Sequence, residues 1–283
     1  MVGRITRIIS NLYTVDVEGK CYNCRARGKF RNDKLIPLVG DYVEISDENY
    51  ILDIKERKNS LNRPMISNVD CALIVTSLKR PELSTSLLDK MLVNVLSKDV
   101  EPIIVFTKYD LLTSDEKRLY DKIIAYYKKI GYKAIINTEI DVLDKLIDGK
   151  VVVLTGQTGV GKSTLLNRLL PDVNQETNDI SEALGRGKHT TRHVELFNYK
   201  NSFIADTPGF SSLDISEDEK DNIKFYFYEF KNDECKFRDC KHINEIGCKI
   251  KDDLENGLIL ESRYENYKKM VVGDENININ NKG

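Results

Sequence analysis

The segment with the clearest chemical role is a glycine-rich stretch in the middle of the 283-residue chain. It follows the apolar run Val151–Thr155, matches the pattern G-x-x-x-x-G-K-[ST], and reads Gly156-Gln157-Thr158-Gly159-Val160-Gly161-Lys162-Ser163-Thr164. Glycines here let successive main-chain N–H groups point at a phosphate, and the start of a following helix adds a favourable dipole. The segment is therefore predicted to bind a nucleoside triphosphate, with Lys162 on the β- and γ-phosphates and the Ser163 hydroxyl on Mg²⁺.

A second phosphate-sensing segment is predicted where the apolar run Phe203–Ala205 ends in Asp206-Thr207-Pro208-Gly209. There Asp206 can hold Mg²⁺ through water, and the Gly209 N–H can reach the γ-phosphate. Taken alone, the pattern D-x-x-G is equally typical of a β-turn. Its position downstream of the glycine-rich segment favours the nucleotide interpretation.

The residues predicted to select the base lie upstream of the phosphate segment. The apolar run Pro102–Thr107 leads into Thr107-Lys108-Tyr109-Asp110. The Asp110 carboxylate can accept hydrogen bonds from both N1–H and N2–H of guanine, a pair that adenine cannot supply. The Lys108 stem can pack along the base. No segment after Gly209 offers the same pattern, so we expect GTP and GDP to be recognised by residues 107–110.

The order of these segments, with the base reader first, the phosphate loop second and the switch segments last, resembles that of the circularly permuted GTPases. The chain is similar to the RsgA family, the ribosome small-subunit-dependent GTPases, from its first strands to a Cys/His group near its end. Residues 185–192 resemble the first switch of that family. The resemblance implies a monomeric GTPase that binds the small ribosomal subunit and its rRNA, assists late maturation of the subunit, and leaves after GTP is hydrolysed to GDP and phosphate.

Hydrolysis is expected to depend on a histidine, because no glutamine follows Gly209 where Ras-type GTPases place the one that orients water. Residues 210–212 are Phe, Ser and Ser, so slow intrinsic turnover is predicted. His189, in the segment similar to the first switch, is the candidate for orienting or deprotonating the water. A contact with phosphate or RNA is the alternative role. Thr190 or Thr191 is expected to bind Mg²⁺ in the GTP state, and the sequence favours neither.

A compact group of metal-binding residues lies near the end of the chain: Cys235, Cys240, His242 and Cys248. It contains half of the six cysteines and one of only three histidines. Thiols in a reducing compartment are more typical of metal binding than of disulfides. Three sulfurs and one imidazole nitrogen suit tetrahedral coordination with no open position for catalysis. We predict one structural Zn²⁺, and the RsgA resemblance supports it.

The elements that must position these residues change in character along the chain. Up to about residue 60, short runs alternate apolar and polar side chains, which predicts a small barrel. From about residue 69, apolar runs alternate with helical segments, a pattern typical of a mostly parallel sheet covered on both faces. Predicted strands are Asp70–Thr76, Pro102–Thr107, Lys133–Ile136, Val151–Thr155, Val194–Phe197 and Phe203–Ala205; predicted helices are 85–97, 115–130, 162–170 and 258–271.

The predicted fold is therefore multidomain α/β, with three parts. Residues 1–62 form an OB-like β-barrel that binds RNA, and residues 63–217 form a circularly permuted P-loop GTPase domain. Residues 218–283 form a small zinc-binding helical domain with a flexible tail.

Composition narrows the classes of protein. With 41% hydrophobic and 31% charged residues, the chain suits a soluble globular protein. No apolar run reaches the 18 or more residues of a membrane helix. The first residues carry Arg4 and Arg7 among apolar ones, so they offer no signal-peptide core. We expect a cytoplasmic protein with no membrane partner.

The net charge of −2 conceals a basic N-terminal region. Residues 1–36 hold eight basic and three acidic side chains, which favours RNA binding by the barrel; a solvated strand face is the alternative.

Two other functions are also compatible with the motifs. One is a nucleotide-regulated RNA-binding switch of translation outside ribosome assembly, and the other is an NTPase without an RNA partner.

Overall fold

The first five strands of the chain close on one another. The computed structural model describes residues 1–27, 30, 36–62, 64–171, 194–206, 217–231 and 234–273. The five strands are β1 (Val2–Ile9), β2 (Leu12–Val17), β3 (Lys20–Ala26), β4 (Tyr42–Ile45) and β5 (Tyr50–Ile54). Each pairs with two others in the cyclic order β1-β2-β3-β5-β4, which gives the predicted barrel. Alternate side chains fill its interior, among them Ile5, Val15, Val43 and Ile51, all fully buried.

A short hairpin, β6 (Ser60–Asn62) and β7 (Met65–Ser67), follows the barrel. Its Ser67 hydroxyl donates to the buried Asp41 carboxylate of the barrel at 2.6 Å. The Arg57 guanidinium, in the chain between barrel and hairpin, pairs with the same carboxylate at 2.7 Å. The barrel and the segment that follows it are therefore held together by one buried acid. The predicted domain limit at residue 62 falls inside this hairpin, and the domain limits remain predictions.

The central part of the chain forms a sheet with helices on both faces. Its strands are β8 (Cys71–Ser77), β9 (Glu101–Thr107), β10 (Lys133–Ile136), β11 (Val151–Thr155), β12 (Glu195–Tyr199) and β13 (Ser202–Asp206). Its helices are α1 (Thr85–Leu96), α2 (Ser114–Lys129), α3 (Ile140–Ile147) and α4 (Lys162–Leu169). The strand order is β10-β9-β8-β11-β13-β12, and every pair is parallel except β12 with β13. The predicted mostly parallel sheet is confirmed.

Successive side chains of the central strands enter two different cores. In β8, Ala72 and Ile74 belong to the core that contains the apolar side chains of α1 and α2. Leu73 and Val75 belong to the core that contains those of α3 and α4. This alternation requires strands that are apolar at every position, because both faces of a parallel sheet are covered. It explains why these strands are recognisable as continuous apolar runs in the sequence.

The edge strand β12 is covered by the barrel. Arg7 of β1 pairs with Glu195 of β12 in an antiparallel register, and their side chains lie 3.5 Å apart. The barrel and the central sheet therefore form one continuous eleven-stranded sheet. An uncovered edge would leave unpaired main-chain groups, so the barrel protects this strand from pairing with other chains.

The C-terminal part consists of short helices around an aromatic core. It contains two 3₁₀ segments, Glu217–Tyr226 and Tyr228–Phe230, followed by α5 (Lys249–Glu255) and α6 (Glu261–Val272). Phe227, Phe230 and Tyr267 pack ring against ring and are almost completely buried. Helix α6 corresponds to the helix predicted at 258–271. Within the described residues, no helix has the length and apolar character needed to span a membrane.

Candidate nucleotide and metal sites

The glycine-rich segment lies between β11 and α4, as its pattern predicts. Gly156 has a φ of 146°, and a Cβ at this position would lie 2.2 Å from the carbonyl oxygen of Val75. Gly161, with a φ of 102°, directly precedes the first residue of α4. Side chains are excluded at Gly156 by this close approach to β8, so the loop needs glycine there. Residues 157–159 are exposed, which leaves the outer side of the loop open to a ligand.

Lys162 lies across its own loop. Its Nζ donates hydrogen bonds to the carbonyl oxygens of Gly156 and Gln157, both at 2.8 Å. Burial lowers the pKa of Lys162 from its ordinary value, because removal from water disfavours the charged form. Negatively charged phosphate bound in the loop would raise the pKa of Lys162 again, because an opposite charge favours the ammonium form. The Lys162 side chain lies beside the loop, where it can contact such a phosphate. Ser163 and Thr164 are exposed in the first turn of α4.

Strand β13 brings Asp206 to the same edge of the sheet. In the parallel pair of β11 and β13, Val153 is opposite Ala205. Asp206 is the next residue and the last of its strand. Because parallel strands end at the same edge of a sheet, the end of β13 and the phosphate loop lie on one side of the molecule, where ligands of such sheets bind.

The base-reading segment is tied to the phosphate loop by two side chains. The Thr107 hydroxyl, at the end of β9, donates to the carbonyl oxygen of Val160 at 2.5 Å. Lys108 has a φ of 60°, and its Nζ donates to the carbonyl oxygen of Gly159 at 2.7 Å and to that of Arg80. Two loops separated by about 50 residues in the sequence are thus joined side by side. The sequence motifs contain no signal for these cross-contacts.

The rest of the base-reading segment is a single 3₁₀ turn, Tyr109–Leu111, in which Asp110 is exposed. The Tyr109 hydroxyl donates to Asp121 of α2 at 3.0 Å. Helix α2 begins directly after this turn with a capping box, in which the Thr113 hydroxyl and the Glu116 carboxylate each accept a main-chain N–H of the other residue. The position of Asp110 is therefore fixed by β9 on one side and α2 on the other.

Four predicted residues lie outside the described part of the chain: His189, Thr190, Thr191 and Gly209. Their roles in hydrolysis, Mg²⁺ binding and γ-phosphate contact remain predictions. The described residues bring together the base reader, the phosphate loop and the end of β13. These are the parts predicted to recognise the base and the phosphates.

The four predicted metal ligands form one cluster. The ligand atoms of Cys235, Cys240, His242 and Cys248 all lie within 4.8 Å of one another. His242 Nδ1 is 3.5 Å from the sulfur of Cys235 and 3.4 Å from that of Cys248, and these two sulfurs are 3.9 Å apart. The segment is folded back by a main-chain hydrogen bond from Lys236 to Gly247. Residues 235–248, named here the metal-binding hairpin, therefore form one closed loop whose two ends lie together.

These distances fit a tetrahedral metal ion. Metal–sulfur bonds of about 2.3 Å and metal–nitrogen bonds of about 2.0 Å give tetrahedron edges of about 3.8 Å between sulfurs and about 3.5 Å between sulfur and nitrogen. Burial raises the pKa of Cys240 to about 12 and also raises that of Cys248. A bound cation would reverse this effect by stabilising the thiolates. The cluster can therefore hold a metal ion.

Comparison with known proteins decides the family. The RsgA GTPase family matches residues 54–216, and the RsgA N-terminal domain matches residues 2–51. A relative from Geobacillus sp. (strain WCH70), named "Small ribosomal subunit biogenesis GTPase RsgA", is 47% identical over 280 residues, which cover 95% of this chain and 96% of the relative. The chain belongs to the RsgA GTPase family. A Bacillus pumilus (strain SAFR-032) RsgA protein of the same name is 48% identical over 95% of this chain and 96% of its own.

Solved structures agree with the RsgA assignment. The crystal structure of YloQ, described as a circularly permuted GTPase, is 36% identical, covers 97% of this chain and 95% of its own, and has a TM-score of 0.82. YjeQ from Thermotoga maritima is also 36% identical, with a TM-score of 0.83 and coverage of 96% and 97%. The predicted RsgA resemblance, the multidomain α/β fold with its permuted order, and the identity of the enzyme as a GTPase are confirmed.

Proposed function

We propose that this RsgA-family GTPase binds the small ribosomal subunit and its rRNA, assists late maturation of the subunit, and is released after GTP is hydrolysed to GDP and phosphate. The observation that carries the assignment of a single nucleotide site is the pair of hydrogen bonds from Thr107 and Lys108 to the phosphate loop. They hold the base reader beside the loop, so that one bound nucleotide can contact both. The relatives named for small ribosomal subunit biogenesis indicate the partner.

Different residues contact the base and the phosphates of the nucleotide. The Asp110 carboxylate accepts N1–H and N2–H of guanine, and the main chain of residues 156–164 surrounds the phosphates. Lys162 exchanges the carbonyl oxygens of its own loop for phosphate oxygens. Ser163, Asp206 and either Thr190 or Thr191 hold Mg²⁺, which neutralises phosphate charge when bound. His189 orients the attacking water.

The barrel has the surface chemistry of an RNA platform. Three basic side chains lie over exposed or half-buried tyrosine rings: Arg4 over Tyr42 at 4.5 Å, Lys20 over Tyr22 at 5.2 Å and Arg27 over Tyr50 at 5.8 Å. Arg25 and Arg27 also line a cavity of about 710 Å³ beside the β1–β2 turn. Basic groups that attract phosphate and rings that stack on bases are the two components of single-stranded RNA binding.

The cluster of three thiols and one imidazole is proposed to hold a single Zn²⁺ with a structural role. All four positions of a tetrahedral ion are filled by protein ligands, so no position is left for substrate. A cytoplasmic location and a monomeric state also stay proposals. The location rests on the ribosomal partner proposed above.

The deciding experiment measures GTP hydrolysis by the full chain alone, with small ribosomal subunits, and with large ribosomal subunits. We expect slow turnover that only small subunits stimulate. Lys162→Ala serves as the matched inactive control, since it removes the phosphate-binding ammonium. Rapid intrinsic turnover that small subunits do not raise would contradict the proposal and favour an NTPase without an RNA partner.

A binding measurement separates assembly from a wider role in translation. Co-sedimentation with immature and mature small subunits, at increasing salt, is expected to show tighter binding to the immature particles. The affinity should fall with salt, because contacts to phosphate release counterions. Equal binding to mature subunits would favour a nucleotide-regulated switch of translation instead.

A further inference from the structure

A buried ionic cluster joins the C-terminal unit to the GTPase sheet. Arg263 of α6 is 1% exposed. Its guanidinium donates to both carboxylate oxygens of Glu229, at 2.7 and 2.8 Å, and to Asp89 of helix α1 at 2.6 Å. The Phe227 ring lies 4.3 Å from its central carbon. Such a charge is stable in the interior only while its partners remain in place, so α6 cannot shift relative to α1 without breaking these contacts.

The same cluster reaches helix α2. Asp89 also accepts a hydrogen bond from the Tyr127 hydroxyl of α2 at 2.9 Å, and it is completely buried. One residue earlier, the Tyr126 hydroxyl lies 3.4 Å from Glu229 and accepts the main-chain N–H of Leu260 at 3.3 Å. The C-terminal half of α2 is therefore held by polar contacts to the last part of the chain.

The other side of α6 is bonded to the metal-binding hairpin. The Tyr264 hydroxyl donates to the carbonyl oxygen of His242 at 2.6 Å. The Tyr267 hydroxyl donates to the carbonyl oxygen of Lys241, also at 2.6 Å. Helix α6 thus contacts the metal-binding hairpin through two tyrosines. It contacts helix α1 through Arg263 and through Asn266, whose side-chain amide also donates to Asp89 at 2.7 Å.

Helix α2 begins at the base-reading turn. Its first turn is capped by Thr113, three residues after Asp110. Tyr109, the neighbour of Asp110, is bonded to Asp121 on the second turn of the helix. A displacement of α2 along its axis or around it would therefore move the carboxylate that reads guanine.

We infer that Arg263 is a positioning residue for guanine recognition, which acts through Asp89 and Tyr127 to fix helix α2 and with it Asp110. This inference rests on the proposed function, because it takes Asp110 as the guanine reader. It makes the C-terminal unit part of the apparatus for nucleotide selection. A unit attached only for contact with a partner would need no buried charges shared with α1.

Inosine diphosphate is the probe that tests this relay, because it differs from GDP only by lacking the 2-amino group. The ratio of the two dissociation constants reports the hydrogen bond between that amino group and Asp110. Contacts to ribose and phosphates cancel in the ratio, and so does a general loss of folded protein. Arg263→Met in the full chain is expected to reduce the preference for GDP by about fivefold, the value of one weakened hydrogen bond. Arg263→Lys keeps the charge but not the two-pronged contact with Glu229. Its preference for GDP is expected to lie between those of the wild-type protein and Arg263→Met.

Lys268→Met is the matched control. Lys268 lies on the same helix and loses the same charge, but its partner Glu265 and its own ammonium are partly exposed. It should leave the ratio unchanged. An unchanged ratio in Arg263→Met would overturn the inference, as would equal losses of GDP and inosine diphosphate affinity.

Tyr127→Phe keeps the test decisive should Arg263→Met fail to fold. It removes one hydroxyl from Asp89 and leaves the ring in the core, so a smaller fall of the ratio is expected, and no fall would contradict the relay. A wild-type protein without preference for GDP over inosine diphosphate would instead contradict the assignment of Asp110 within the proposed function.

Discussion

The nucleotide site and the metal cluster are built by opposite means. The nucleotide site takes its shape from the parallel sheet, because its two loops follow β9 and β11 and are joined by Thr107 and Lys108. The surface predicted to bind the nucleotide, residues 157–159 and Asp110, is exposed. The metal cluster lies in a short hairpin, and three of its four ligand residues are buried.

This difference separates a ligand that is exchanged from one that stays. A site whose shape is set by the sheet can release GDP and accept GTP at little cost to the fold. A buried group of thiols that holds a cation depends on that cation, since ligand binding and folding of such a unit are one process. The energetic role of each ligand can be tested by removing it or its principal contact.

Metal removal should have the largest effect. Structural zinc contributes on the order of 10–16 kcal/mol in small zinc-binding peptides, more than a small hairpin can replace from its own packing. Chelation of the full chain is expected to expose the amides of residues 235–255 to hydrogen exchange, while β8, β9 and β11 stay protected. Helix α6 should lose less protection than the hairpin, because Arg263 still attaches it to α1.

Cys240→Ser should reproduce the result of chelation without a chelator, and Cys21→Ser is its control, since Cys21 is exposed on the barrel. Unchanged exchange in residues 235–255 after complete metal loss would show that the hairpin is preformed. The contrast between the two sites would then disappear.

Loss of the Asp110 carboxylate, the predicted base reader, should have the second largest effect. Asp110→Asn removes a charged acceptor for two guanine N–H groups, each worth about 1.5–3 kcal/mol, so GTP affinity is expected to fall at least about a hundredfold. The new amide can donate to the 2-carbonyl of xanthine, so affinity for xanthosine triphosphate should rise. Because Asp110 is exposed, thermal stability should not change. Retention of GTP affinity, measured by nucleotide titration, would exclude Asp110 as the reader.

A substitution at His189, which lies outside the described residues, tests its predicted role in GTP hydrolysis. His189→Ala is expected to leave GTP affinity unchanged and to reduce turnover stimulated by small ribosomal subunits by about a hundredfold, the lower range for a lost general base. His193→Ala is the control, because His193 directly follows the segment 185–192 that resembles the first switch and belongs to none of the predicted nucleotide-binding motifs. Single-turnover assays with and without subunits give both values, and an unchanged stimulated rate would remove His189 from the mechanism.

The sequence predicted the central sheet because each of its strands can be recognised from a short run of neighbouring residues. Strands covered on both faces must be apolar at every position, and β9, predicted at Pro102–Thr107, is observed at Glu101–Thr107. Helix α3 was not among the predicted elements, although Ile140, Leu143 and Ile147 recur at the spacing of one helical face. Helix α4 is equally short and was predicted because the glycine-rich motif places a helix after it. Helix α5 was also not predicted, since its seven residues contain only two apolar side chains.

Side-chain contacts across the fold were beyond the reach of sequence patterns. The motifs locate Thr107 and Lys108, but not their bonds to a loop more than 50 residues away. Asp89 gave a signal of a different kind, since an acid between Leu88 and Met91 on the apolar side of a helix must find a buried partner. That partner, Arg263, lies 174 residues further along the chain, and its identity depends on the tertiary fold.

The smallest predicted effect concerns the side-chain contact that joins the two loops of the nucleotide site. Thr107→Val removes the hydroxyl that donates to Val160 and keeps the branched shape in the core, at a cost of about 1 kcal/mol or somewhat more for the carbonyl left unpaired. GDP affinity should fall by about fivefold, and the loss should appear in faster dissociation, because the two loops separate more easily. Thr85→Val, which removes a hydroxyl from the half-buried first residue of α1, is the matched control. An unchanged rate of GDP dissociation in stopped-flow measurements would mean that the sheet alone holds the two loops together. The nucleotide site would then differ from the metal cluster even more, because it would need no side-chain contact between its loops.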